Sequence, residues 1–213
     1  MSGRQIGIID YGMGNLGSVS NACRFLNLPA TIVGSPDELD ACDALILPGV
    51  GAFGDCMAHL REHGLVQPIL DWIAADKPFL GICLGLQVLF EGSEESPGVE
   101  GMGVLPGVVR RFRLPHDYKV PQIGWSRVRQ ALPECPLFEK LPDETHFYFV
   151  HSYYADAATA DYAAGVTTYG LEYASAIWRR RLMAVQFHPE KSQKYGLQML
   201  ANFARWLEQG SPV

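Results

Sequence analysis

The first half of the chain alternates short apolar runs with stretches of helical periodicity. Gln5-Ile6-Gly7-Ile8-Ile9 reads as a buried strand, and Leu16, Val19, Cys23 and Leu26 then recur at helical spacing behind Asn15, a residue suited to an N-cap. Thr31-Ile32-Val33 and Ala44-Leu45-Ile46-Leu47 predict two further strands, separated by a segment containing Ser, Pro and Asp. Residues 54–75 are mostly helical, with a break near Gly64, and lead to a Pro-led apolar run, Pro78-Phe79-Leu80. Strands alternating with helices imply right-handed crossovers and a parallel sheet covered on both faces. After about Gly92, Gly- and Pro-containing turns separate short strands at Val108–Phe112, Phe147–Val150 and Ala174–Trp178, the pattern of antiparallel structure added to a parallel core. Leu182–Phe187 is one more buried strand, and Leu200, Phe203 and Leu207 define a last amphipathic helix stopped at Gly210. The fold class is α/β: an open, mostly parallel sheet flanked by helices, with added antiparallel strands, in a single domain over residues 1–213.

Within this pattern Gly81-Ile82-Cys83-Leu84-Gly85 joins the Pro-led strand to a helix-like run, Leu86-Gln87-Val88-Leu89-Phe90. Small residues two positions either side permit a tight strand-to-helix turn that lifts a nucleophile above a sheet edge. Unpaired N–H groups at a helix start favour thiolate over thiol there. Taken alone, the same residues also describe a small cysteine buried at a packed turn.

Composition narrows the classes. At 213 residues and 48% hydrophobic content the chain can bury a full core. Its formal charge of -6 is spread without long like-charged runs; Arg110-Arg111 and Arg179-Arg180-Arg181 are the densest, which gives no nucleic-acid footprint. Five cysteines form no C-x-x-C pair and suggest a reducing compartment. Met1-Ser2-Gly3-Arg4-Gln5 carries no signal-peptide pattern and no apolar run reaches the ~20 residues that span a bilayer, so a cytoplasmic location is expected. The histidines show no recognised metal-ligand spacing: His59 and His63 lie four apart without a third ligand and read as a helix face. No cofactor is implied.

Gln186-Phe187-His188-Pro189-Glu190 follows the last strand and puts an imidazole and a carboxylate at the edge where ligands collect in open α/β sheets, the edge that also carries Cys83. A cysteine nucleophile needs one group to take and return protons, which a histidine supplies, and Glu190 can orient that ring. Leu47-Pro48-Gly49-Val50-Gly51-Ala52-Phe53-Gly54 is a strand end with a glycine-rich loop. Its N–H groups, with that of Leu84, suit an oxyanion hole; without a G-K-[ST] ending, a phosphate cradle is disfavoured. Asp10-Tyr11-Gly12-Met13-Gly14-Asn15-Leu16-Gly17 lacks the G-x-G-x-x-G spacing and fits an ordinary connection or a partner-facing loop better than a dinucleotide site.

These stretches, together with Lys119-Val120-Pro121, Gly124-Trp125, Phe149-Val150-His151-Ser152-Tyr153 and Lys191-Ser192, resemble the triad glutamine amidotransferases over essentially the whole chain. The resemblance is strongest to the histidine-biosynthesis branch, the glutaminase subunits of imidazole glycerol phosphate synthases. It implies Cys83, His188 and Glu190 as catalytic residues, Gly49, Val50, Gly51 and Leu84 around the oxyanion, and Gln87, Ser152 and Tyr153 around glutamine. It also implies a (β/α)8 cyclase partner met by Asn15, Trp125 and Lys191, with Tyr153 a further interface candidate. Gln122-Ile123 and Ser126 depart from that branch, where histidine, methionine and asparagine are more usual. Sister glutaminases of other pathways, a stand-alone cysteine hydrolase and a silent scaffold protein are the competing readings.

Overall fold

A computed structural model describes residues 4–209. Met1, Ser2 and Gly3 lie outside the described residues, as does Gly210, the expected stop of the last helix. The chain runs through β1 (Ile6–Ile9), α1 (Leu16–Phe25), β2 (Ala30–Val33), α2 (Pro36–Asp40), β3 (Ala44–Gly49), α3 (Phe53–Glu62), α4 (Val66–Ala74), β4 (Phe79–Cys83), α5 (Leu84–Gln87) and β5 (Phe90–Ser93). There follow β6 (Leu105–Arg111), β7 (Gln122–Gln130), β8 (Thr145–His151), β9 (Tyr153–Ala155), β10 (Ala163–Thr168), β11 (Glu172–Arg179), β12 (Leu182–Val185) and α6 (Gln193–Glu208).

The strands form one sheet whose main path is β2-β1-β3-β4-β12-β11-β10-β7-β8. Its first five strands are parallel, and from β12 onward every step is antiparallel. This is the expected α/β sheet with a parallel core and antiparallel additions. Period-two alternation divides the apolar residues between two faces. Ile6, Ile8, Ile46, Leu80 and Ile82 pack with α1 and α6 on one side, and Ile9, Leu45, Leu47 and Phe79 pack with α3 and α4 on the other. Burial on both faces is why these strands read as continuous apolar runs.

Several local expectations need correction. The Ser/Pro/Asp segment is a helix, α2, started by a capping box in which the Glu38 carboxylate accepts the Gly34 and Ser35 amides (2.8 and 3.1 Å). The helix after Cys83 is a single turn and Phe90 is already in a strand. The carbonyls of Val88 and Leu89 accept the amides of Met102 and Leu105 at 2.8 and 3.0 Å, so long-range pairing takes the groups that helix extension would have used. Strand β3 continues through Pro48 and Gly49, and the loop begins only at Val50. Asn15 does stand at the N-cap of α1, but its side chain makes no capping hydrogen bond. The helical break near Gly64 is found as expected, with that residue at φ +65° after α3.

Arg179, Arg180 and Arg181 form the β11–β12 hairpin at the N-terminal end of β12. The Arg181 carbonyl accepts the Phe79 amide there, which puts the cluster at the sheet edge opposite Cys83. Among the described residues no helix is long and apolar enough to cross a membrane.

Candidate active site

Cys83 ends β4 with φ +56° and ψ -106°, a backbone conformation that costs an L-residue on the order of 1–3 kcal/mol. The turn survives because Gly81 and Gly85, two positions either side, have no side chains. A Cβ at Gly81 would lie 2.6 Å from the Gly85 carbonyl oxygen, and one at Gly85 would overlap the carbonyl oxygen of Leu47. The elbow therefore fits flush against β3, with Cys83 7% exposed at a cavity of about 420 Å³. With only one turn in α5, Cys83 has first-turn amides beside it but little accumulated helix dipole.

Strand β12 runs parallel to β4, with Val185 opposite Ile82, so His188 leaves the sheet beside Cys83. A 3-10 turn at Pro189–Lys191 folds Glu190 back under the ring, and Glu190 Oε1 lies 2.7 Å from His188 Nδ1. Both side chains are almost fully buried, at 2% and 1% exposure. The carboxylate can only accept, so Nδ1 carries the proton and Nε2 is the exchanging nitrogen. Nε2 has no hydrogen-bond partner among the described residues, while the thiol sulfur receives the side-chain amide of Gln186 at 3.7 Å. Burial disfavours the imidazolium, but its interactions with the neighbouring Cys83 sulfur and with the Glu190 carboxylate outweigh it and raise His188 from 6.5 to about 9. The backbone of His188 is fixed as well: its amide donates to the Tyr148 carbonyl (2.9 Å), and its carbonyl accepts the Ser192 hydroxyl (2.6 Å).

Cys83 and His188 share the cavity wall with Val50, Gly51, Leu84, Gln87, Ser152, Tyr153 and Lys191. Thus most of the residues selected from sequence converge on one space. Glu190 stands behind His188, and Gly49 packs beneath the site against Leu84 and Tyr11 rather than lining it. Gln87 donates its amide to the Tyr153 carbonyl (3.0 Å) and to Gln186 Oε1 (3.1 Å), bracing the far wall against the thiol's neighbour. Neither Asn15 nor Trp125 lines the cavity. Trp125 is 46% exposed on β7, packed edge-on against Tyr148, and borders a separate recess with Ser192, Lys194 and Tyr195.

Sequence reasoning assigned no role to Gln186, His151 or Glu95, although all three belong here. Gln186 touches the thiol; His151 and Glu95 line the cavity, and Glu95 also accepts the Phe53 amide at the head of α3 (2.8 Å). Gln186 and His151 lie inside segments whose motifs point to the site, whereas nothing around Glu95 in the sequence announces a loop that reaches it. A thiol and a protonatable imidazole with its orienting carboxylate, meeting at one cavity, are equipped for acyl transfer.

Residues 7–206 match the family described as Glutamine amidotransferase class-I. The chain is 49% identical over 208 residues to the imidazole glycerol phosphate synthase subunit HisH of Desulfitobacterium hafniense (strain DSM 10664 / DCB-2), covering 98% of this chain and 97% of that one. It is 50% identical over 200 residues to the same-named subunit of Moorella thermoacetica, covering 94% of each. Two solved structures share the fold at low identity. PurLQS from Thermotoga maritima has TM-score 0.76 and 17% identity over 97% of this chain and 100% of that chain. The glutaminase domain of Trypanosoma brucei CTPS has TM-score 0.63 and 17% identity over 95% of this chain and 94% of that chain. With a family match running almost end to end over the sheet that carries the thiol and the imidazole, the chain belongs to the class-I glutamine amidotransferases.

Proposed function

We propose that this chain is the glutaminase subunit of an imidazole glycerol phosphate synthase, acting in the cytoplasm as one domain over residues 1–213 beside a (β/α)8 cyclase. The observation that carries the reading is the convergence of Cys83 with the His188–Glu190 pair, from adjacent parallel strands, on one cavity. The names of the two relatives described above support the pathway.

In this reading the Cys83 sulfur, its proton passed to His188 Nε2, attacks the side-chain carbonyl carbon of glutamine, and the carbonyl electron pair moves to oxygen. Backbone N–H groups of Val50 or Gly51 and of Leu84 receive that oxyanion. The tetrahedral intermediate collapses as His188, an imidazolium at neutral pH, protonates the leaving nitrogen; the C–N bond breaks and ammonia departs. Water then adds to the γ-glutamyl thioester, giving its proton to His188, and the C–S bond breaks to release glutamate. Gln87, Ser152 and Tyr153 hold the substrate. Ammonia passes to the cyclase, whose lyase chemistry yields imidazole glycerol phosphate and aminoimidazole carboxamide ribotide. Removing one oxyanion donor costs ~100-fold or more, so a small turn of the Gly49-Val50-Gly51 segment by the partner switches the rate. Asn15, Trp125 and Lys191 form the docking contacts. Cys83→Ala tests the assignment: glutamine hydrolysis falls to background while folding and cyclase binding persist, and surviving hydrolysis would defeat it.

A further inference from the structure

Behind the cavity wall lies a buried polar chain that the chemistry above does not use. Gln122 on β7 stands opposite His151 on β8, and Tyr173 on β11 reaches between them. Tyr173, Gln122 and His151 are 0%, 1% and 7% exposed, so their polar atoms must satisfy one another. His151 Nδ1 lies 2.7 Å from the Tyr153 carbonyl and Nε2 lies 3.2 Å from Tyr173 Oη. The phenol is in turn 2.9 Å from the Gln122 side-chain amide, whose other end is 2.9 Å from Ser126 Oγ.

Counting donors fixes the direction of this chain. A carbonyl only accepts, so His151 Nδ1 carries a proton. Burial holds His151 neutral, depressing it to about 4, so Nε2 is an acceptor and takes the single phenolic proton of Tyr173. Having given its one proton to His151, Tyr173 Oη can only accept from Gln122. Turning the Gln122 amide so that its NH2 meets the phenol and its oxygen meets the Ser126 hydroxyl satisfies every member; the opposite orientation asks Tyr173 for two protons. The Tyr153 carbonyl, receiving both His151 and Gln87, is thereby clamped from two sides. The far end of the chain hangs from a strand whose neighbouring Ile123 and Trp125 are exposed.

We propose that Tyr173 is a positioning residue of the glutamine pocket: with Gln122 it holds His151 as the Nδ1–H tautomer that clamps the Tyr153 carbonyl, tying the cavity wall to the exposed face of β7. The inference rests on the glutaminase reading of that cavity. It also gives a physical role to Gln122 and Ser126, which are otherwise remote from the thiol.

Two measurements test it. In the 15N-labelled wild-type chain at neutral pH, with the His151 signals assigned by loss in His151→Asn, Nδ1 shows a protonated and Nε2 a bare-nitrogen shift. A bare Nδ1, or protons on both nitrogens, overturns the donor count. In steady-state glutaminase assays of the cyclase complex, Tyr173→Phe raises KM for glutamine roughly two- to tenfold, the equivalent of one lost neutral hydrogen bond, with kcat within about twofold. Adding Gln122→Met to that variant changes KM no further. An unchanged KM, or a fall in kcat alone, overturns the positioning role. If the wild-type complex hydrolyses no glutamine, the functional reading fails, and the nitrogen shifts still decide the network.

Discussion

Replacing Glu190 by glutamine removes one negative charge from a buried pair while keeping its shape, and the expected result can be worked from the geometry. His188 is raised from 6.5 to about 9, against burial, by its interaction with Cys83 and by the 2.7 Å contact with Glu190. At about 1.4 kcal/mol per pH unit the whole elevation amounts to about 3 kcal/mol in favour of the protonated folded state. Because the folded pKa is the higher one, this stabilisation is fully present below about pH 6.5 and is lost as pH rises through about 9. Exchanging a charge-assisted hydrogen bond for a neutral one removes about 1–2 kcal/mol of it. In Glu190→Gln the His188 midpoint should therefore fall by about one pH unit, followed by NMR titration of the ring. The loss of unfolding free energy between about pH 6 and about pH 9.5, measured in urea, should shrink by the same 1–2 kcal/mol relative to wild type. Comparing the two pH dependences cancels any pH-independent damage from the substitution. An unchanged midpoint near 9 and parallel stability profiles would refute the claim that Glu190 holds the imidazolium.

Other perturbations probe the elbow, the core and the docking face. Gly85→Ala forces a methyl group onto the Leu47 carbonyl oxygen and should cost about 3 kcal/mol or more, seen as a lowered urea midpoint; wild-type stability would show that the elbow is not tightly seated. Asn202 is buried and donates to the carbonyls of Leu137 (3.0 Å) and Glu139 (2.7 Å), so Asn202→Leu should destabilise by about 2–4 kcal/mol in the same assay. Trp125→Ala should weaken cyclase binding at least tenfold by calorimetry if this ring is a docking anchor, leaving glutamine hydrolysis by the isolated chain unchanged. Equal affinity would remove Trp125 from the interface.

The parts of the fold written in local periodicity were legible in the sequence. Ile6–Ile9, Ala44–Leu47 and Leu182–Val185 are apolar because both faces of the sheet are covered, and Gly81 and Gly85 announce the elbow because nothing larger fits against β3. The helix at Pro36–Asp40 was missed: Ser35 and Glu38 carry the S-x-x-E spacing of a capping box, but its five residues give no apolar period to draw attention to it. The end of α5 was not legible. Leu84 through Phe90 are buried on every side, so they show no periodicity, and Met102 and Leu105, distant in sequence, decide where the helix stops. The same limit applies within the site. His188 and Glu190 are two residues apart and could be paired by inspection, whereas His151, Tyr173 and Gln122 meet only through strand register across 22 and 51 positions.

The central claim is that a complete Cys83–His188–Glu190 site supplies ammonia under the control of a cyclase. Glutamate release from glutamine by the purified chain, alone and with the candidate cyclase and its ribotide substrate, tests it most directly. The account predicts low release by the chain alone and a strong rise in the loaded complex. Full activity without the partner, or none in a verified complex, would contradict it.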